Sequence, residues 1–143
     1  MSKFHQGEYI PKNPQKYIGK GRIIFRSSWE QVFCRFLDTH PSILQWSSES
    51  VRIPYVNPLT GKKTTYVPDF FIIYQDKDGV NHAELVEIKP LAQTSMTEAK
   101  SRYDKAAVIL NSAKWASARA WCSANKITFR VMTQNQLFAG AKK

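Results

Sequence analysis

From residue 70 to residue 88 the chain reads as two apolar, β-branched and aromatic runs, 70–74 and 83–88, separated by the polar stretch 75–81. Asp78-Gly79 within that stretch is a strong local turn signal, so the pattern predicts a β-hairpin. Upstream, Trp29, Val32, Phe33, Phe36 and Leu37 recur at helical spacing. Ser27 or Ser28 stands in the capping position and Pro41 lies beyond the end, which predicts a helix to about Asp38. Ile43, Leu44 and Trp46 lead into a strand over 51–56, and Asn57-Pro58 with Gly61 turns it back into a second strand over 62–66. After a connector at 91–94, a helix capped by Ser95 or Thr97 is expected to about Asn111, burying Ala99, Tyr103, Ala106, Ala107 and Leu110. A second helix is expected over 114–124, with Trp115, Ala118, Trp121 and Cys122 on one side as core. Ile127, Phe129 and Val131 alternate as a last strand, 134–138 adds a turn, and 139–143 reads as a frayed basic tail.

The 143 residues amount to one domain's length, with no internal repeat or dividing linker. Residues 1–22 are polar, interrupted by Pro11 and Pro14, and read as a basic arm that is either disordered or in contact with DNA. No apolar run approaches the roughly 20 residues of a membrane span, and Lys3, His5 and Glu8 interrupt the start, so a soluble, unexported protein is expected. Cys34 and Cys122 are far apart, in no metal-ligand spacing, and read as core thiols.

Charge changes the picture. The chain has 21 Lys+Arg against 11 Asp+Glu, a formal net charge of +10, with a pI near 9.8, which makes nucleic acid the first partner to consider. The sign is uneven. Residues 1–35 carry seven basic and two acidic groups, 36–88 carry four and seven, and 89–143 carry ten and two. An acidic middle between basic flanks is what a metal site within a phosphate-binding surface would produce.

The acidic positions sit where a buried hairpin should carry none. Asp69 opens the first strand, and Glu87 and Lys89 close the second. Side chains two apart in a strand share a face, so Glu87 and Lys89 point one way while Val86 and Ile88 point the other. With Asp69 beside them, two carboxylates and a lysine converge. Such an oxygen set on a rigid sheet suits a hard cation such as Mg2+, which keeps several waters and borrows phosphate oxygens. The alternative is an ion-pair cluster, but exposed pairs stabilise by only about 0–1 kcal/mol, and crowding two carboxylates is unfavourable without a cation. Glu30 follows Ser27 by three residues, the spacing of a capping box, in which its carboxylate only satisfies a backbone N–H.

Pro68-Asp69, seventeen intervening residues and Glu87-Ile88-Lys89 resemble the PD-(D/E)XK nuclease signature. The order Arg26-Ser-Ser-Trp-Glu30, Tyr66-Val-Pro-Asp-Phe70, Val86-Glu-Ile-Lys-Pro90 and Ile127-Thr-Phe-Arg-Val131 is similar to the TnsA-type endonuclease domain, and closer to the head completion nucleases of tailed phages, over nearly the whole chain. The resemblance implies an α/β, restriction-endonuclease-like core with a mixed β-sheet flanked by helices. It implies hydrolysis of DNA phosphodiesters with Mg2+, for which Mn2+ substitutes, held by Asp69, Glu87, the Ile88 backbone carbonyl and Glu30. Lys89 then works on the attacking water. Lys20, Arg22, Arg26, Lys62, Lys63, Lys100, Arg102 and Lys105 are the expected DNA contacts, each equally readable as a solvated charge. The Gln-x-x-x-Tyr motif of some relatives is missing, since Ala99 stands four residues before Tyr103. The implied setting is the host cytoplasm during virion assembly, with portal or neck proteins as partners. The competing readings are a DNA-binding assembly factor without catalysis and a transposon-type end-cleaving enzyme.

Overall fold

A computed structural model describes residues 6–136; the tail expected at 139–143 and the first five residues of the expected arm lie outside them. The main elements among the described residues follow in the order β1 (Gly7–Tyr9), β2 (Ile23–Phe25), α1 (Ser28–Thr39), β3 (Ile43–Ser48), β4 (Ile53–Val56), β5 (Lys63–Tyr66), β6 (Phe70–Gln75), β7 (Asn81–Ile88), α2 (Arg102–Ala124) and β8 (Thr128–Met132). Of the turn expected at 134–138, residues 134–136 are helical and the rest lies outside the described residues. The central sheet has the order β3-β6-β7-β8. β6 pairs antiparallel with β3 and β7, and β8 joins β7 in parallel, so the sheet is mixed. Its parallel pair requires the crossover that α2 supplies. This is the α/β, restriction-endonuclease-like arrangement expected from the sequence.

Strand alternation divides the core in two. Phe70, Ile72, Val86, Ile88 and Met132 pack with Phe33, Cys34 and Leu37 of α1 and with Trp46. Leu85, Phe71 and Val131 face the other way, onto Trp115, Ala118 and Cys122 of α2 and Ile53, Tyr55 and Tyr66 of the β4–β5 hairpin. Both cysteines are free and buried.

Residues 6–22 hold to the body. β1 pairs with β2, and Asp38, 0% exposed near the end of α1, collects bonds from this segment. Its carboxylate accepts from the Tyr9 hydroxyl at 2.6 Å and from the backbone N–H groups of Lys12 and Asn13 at 2.7 and 2.9 Å. Lys16 Nζ donates to the carbonyls of Asp38 and His40, satisfying the open end of α1.

The helical region after β7 departs from expectation: there is one 23-residue helix, starting at Arg102 and running through Asn111. Two successive Ser-x-x-acid signals, 95–98 and 101–104, compete for its start. At the first, the Ser95 hydroxyl accepts the Glu98 N–H, but the turn stops there. At the second, Ser101 accepts the Asp104 N–H at 3.0 Å and the helix propagates. No break follows at Asn111 and Ser112, because their side chains are spent on the carbonyls of Gln93 and Val108. The buried stripe is Val108, Asn111, Trp115, Ala118 and Cys122. Tyr103, expected inside, lies off that stripe and is 69% exposed.

Candidate active site

Asp69 precedes β6 at the point where Phe70 pairs with Val86, so it falls opposite Glu87. Backbone bonds fix both side chains. The Asp69 N–H donates to Glu87 Oε1 at 3.3 Å, and Asp69 Oδ2 accepts the Ile88 N–H at 2.8 Å. In an extended strand a residue's N–H and C=O leave on the same edge, so the Ile88 carbonyl also faces the Asp69 side. The next residue points the other way, its Lys89 N–H meeting the Met132 carbonyl of β8 at 3.0 Å. Lys89 Nζ stands 3.6 Å from Glu87 Oε2. The sheet thus brings Asp69, Glu87, Lys89 and the Ile88 backbone to one place.

The electrostatics are those of crowded acid. Glu87 is 4% exposed. Burial raises its pKa, against the opposing pull of Lys89, Tyr66 and Lys114. Asp69 is pushed well above the usual carboxylate range, first by loss of water and then by the charges of Glu87 and Glu30; the Ile88 N–H and Lys89 offset part of this. Asp69 is half-buried, its Oδ2 held against β7 by the Ile88 N–H.

Glu30 makes the bonds of a helix start, and its charge acts on Asp69 without a direct bond to it. It makes half of a capping box: Ser27 Oγ accepts the Glu30 N–H at 3.2 Å, but Glu30 Oε1 reaches one residue past the cap and accepts the Arg26 N–H at 3.3 Å. Its charge is also felt at Asp69, and burial followed by the charges of Glu49 and Glu87 raises its own pKa, against the Arg26 hydrogen bond. It reaches the cluster from α1, on the opposite face of the sheet from the side to which Glu87 and Lys89 point.

Among the described residues no three His, Cys, Asp or Glu side chains stand close enough to cage a metal by themselves. A pair of carboxylates still fits Mg2+, which is commonly held through one or two carboxylates with water and substrate phosphate completing the octahedron. The donor set here is all oxygen and carries more negative charge than Lys89 alone neutralises.

Two residues at the site carried no sequence signal of their role. Glu49, in the loop after β3, is bound bidentately by Arg26 at 2.7 and 3.0 Å. It holds a left-handed backbone, φ 51°, and its N–H donates to the Asp69 carbonyl at 3.0 Å. Lys114, half-buried on α2, places its ammonium 5.6 Å from the centre of the Tyr66 ring. The Tyr66 hydroxyl and Trp115 Nε1 beside it are buried without a well-formed hydrogen bond.

The expected DNA contacts are scattered. Lys20, Lys62, Lys63, Lys100, Arg102 and Lys105 are exposed. Arg22 is exposed but pairs with Glu8 at 2.8 Å, and Arg26 is held by Glu49. Lys62 and Lys63 lie at the tip of the β4–β5 hairpin. Arg102 and Lys105 stand roughly 14–18 Å N-terminal of Lys114 along α2, at 1.5 Å per residue.

A carboxylate pair and a lysine thus stand at the ends of paired central strands, with α1 on one face of the sheet and α2 on the other, in a restriction-endonuclease-like α/β fold. The chain belongs to the TnsA-like endonuclease N-terminal family, whose model matches residues 40–134. That span contains Asp69, Glu87, Lys89 and Lys114 but not Glu30. The chain is also 34% identical over 146 residues to the head completion nuclease of Enterobacteria phage T4, a match covering 94% of this chain and 95% of the phage protein.

Proposed function

We propose that this protein is a metal-dependent DNA endonuclease that acts on packaged DNA ends during assembly of a tailed-phage head. The observation that carries the chemistry is the locked pair of Asp69 and Glu87 beside Lys89. The setting is carried by similarity to the T4 head completion nuclease along nearly the whole of both chains.

Asp69, Glu87 and the Ile88 carbonyl would hold Mg2+, with Mn2+ as a substitute, and Glu30 would complete the shell from α1. Once bound, the ion supplies Lewis-acid polarisation of the phosphoryl oxygen, a more acidic water and charge stabilisation at the leaving oxygen. Lys89, held near Glu87, orients the attacking water and offsets charge developing on the phosphate. The strand-to-strand bonds keep both carboxylates in register, so little reorganisation is needed when DNA arrives. Lys62, Lys63, Lys100, Arg102, Lys105 and Lys20 bind outlying phosphates. Arg22 and Arg26 would first have to leave Glu8 and Glu49. The site would work in the host cytoplasm beside portal or neck proteins; no helix among the described residues is long and apolar enough to cross a membrane.

The test is nicking of supercoiled plasmid with Mg2+, with Mn2+ and with EDTA. Metal-dependent nicking that Asp69→Asn abolishes supports the reading. DNA binding without cleavage under all three conditions would make the protein an assembly factor instead.

A further inference from the structure

We propose that Lys114 is a second catalytic cation, contacting a non-bridging oxygen of the scissile phosphate alongside Lys89; the inference rests on the nuclease reading above. Leu85, Glu87 and Lys89 alternate onto the sheet face that α2 covers, with Leu85 packed in the same cluster as Trp115. Lys114 precedes Trp115 and stands on the shoulder of the buried stripe of α2, which directs its side chain over Tyr66 and toward the carboxylates. Its charge is felt at Glu87 and Asp69, and it is repelled by Lys89.

Among the described residues no carboxylate lies within 4 Å of this ammonium. It has been drawn partly out of water over an aromatic face, with Glu87 and Asp69 acting on it only from beyond ion-pair distance, which is costly unless a closer anion arrives. The adjoining Tyr66 hydroxyl lies near Glu87 and Trp115 Nε1 without a well-directed hydrogen bond to either, so the wall next to Lys114 is also incompletely satisfied. Two lysines approach a common acidic pair, each repelling the other. Once the carboxylates are engaged, the two ammonium groups define an anion position between them, and the phosphate is the anion that the reaction puts there.

In the hydrolysis, the water oxygen bonds to phosphorus and the P–O3′ bond breaks with its electron pair on O3′. The proton lost by water balances the one gained by O3′. Lys114 takes part in neither bond change. It acts on the phosphoryl oxygens, whose charge it stabilises more in the transition state than in bound DNA.

The experiment compares Lys114→Met, which keeps the apolar stem against Tyr66, with Lys114→Arg, which keeps the charge. Single-turnover cleavage of a fluorescein-labelled linear duplex is measured at saturating protein with Mg2+. Affinity for the same duplex is measured in EDTA at several salt concentrations, and melting temperature is recorded for each variant. Lys114→Met is expected to cut about 10²-fold more slowly at saturation, with affinity within about threefold and melting unchanged or higher. Lys114→Arg is expected to recover about tenfold of that loss. A methionine variant that cuts normally at saturation, or equal losses in both variants, would overturn the proposal. If the wild-type protein cuts, Asp69→Asn is dead and Lys114→Met is normal, only the lysine inference fails. If the wild type and Asp69→Asn are alike inert, the nuclease reading fails and takes this inference with it.

Discussion

Asp69 and Glu87 hold each other through the backbone: the N–H of Asp69 donates to Glu87 Oε1 at 3.3 Å, and Asp69 Oδ2 accepts the N–H of the residue after Glu87 at 2.8 Å. The pair is therefore assembled by the hairpin itself, although the two charges oppose one another.

That opposition makes the first prediction. Asp69→Asn keeps an oxygen for the Ile88 N–H while removing charge, and Glu87→Gln does the same for the Asp69 N–H. Either variant should cut DNA about 10³-fold or more slowly, yet melt at the same or a higher temperature without metal, since each relieves repulsion. Cleavage rates and calorimetric melting in EDTA check both halves, and normal cleavage in either variant would remove that residue from the site.

Glu30 is tested by separating its two roles. Glu30→Gln retains the capping acceptor for the Arg26 N–H, whereas Glu30→Ala loses it at a cost of about 1 kcal/mol. A Glu30 that serves the ion gives a glutamine variant of nearly normal stability and low activity. Full activity in Glu30→Gln, with only the alanine variant destabilised, would leave Glu30 as a cap alone.

Lys89 and the outlying cations should separate chemistry from binding. Lys89→Met should slow single-turnover cleavage at saturation while hardly changing the salt dependence of DNA binding. Replacing Lys100, Arg102 and Lys105 together by alanine should flatten the slope of log K against log salt by up to about 0.9 for every phosphate no longer neutralised, with cleavage at saturation intact. An unaltered slope would place the DNA path away from the start of α2.

Asp38 gives a prediction in pH. Loss of water pushes its pKa up, but the bonds from Tyr9, Lys12 and Asn13 outweigh this and leave it below the usual aspartate value. A depressed folded-state pKa contributes stability above the unfolded value of about 3.9, and this stability is lost as pH falls through the folded value. Asp38→Asn should therefore cost about 1.5–3 kcal/mol near neutrality, as charge-assisted bonds do, and the gap from wild type should narrow below pH 4. Denaturant melts at pH 7 and pH 3 measure it; a gap that does not narrow would mean that the carboxylate's charge contributes nothing.

What was legible in the sequence was what local chemistry determines. The Asp78-Gly79 turn and the apolar runs beside it set the hairpin, and strand alternation then put Glu87 with Lys89. The Ser27–Glu30 spacing likewise foretold the Ser27 cap, though the Glu30 carboxylate turns to the Arg26 N–H instead of the cap's own. Where two local signals compete, as at Ser95 and Ser101, the segment that follows decides between them: the Ser101 cap opens the helix that carries the buried stripe from Val108 onward. Glu49 and Lys114 acquire their surroundings from segments distant in the chain, so nothing beside them in sequence marks them. The order of residues 6–22 depends on Asp38, whose partners lie 25–29 residues away.

The bond from the Lys89 N–H to the Met132 carbonyl of β8 has a meaning for synthesis. The ribosome makes β6 and β7 early, but the strand that braces the backbone of Lys89 emerges more than forty residues later, after all of α2. Parallel pairing of this range is slow to form, because the intervening chain must close first. A nascent chain can therefore present its carboxylates well before its lysines are in position, and cutting activity should appear only when translation has passed Met132.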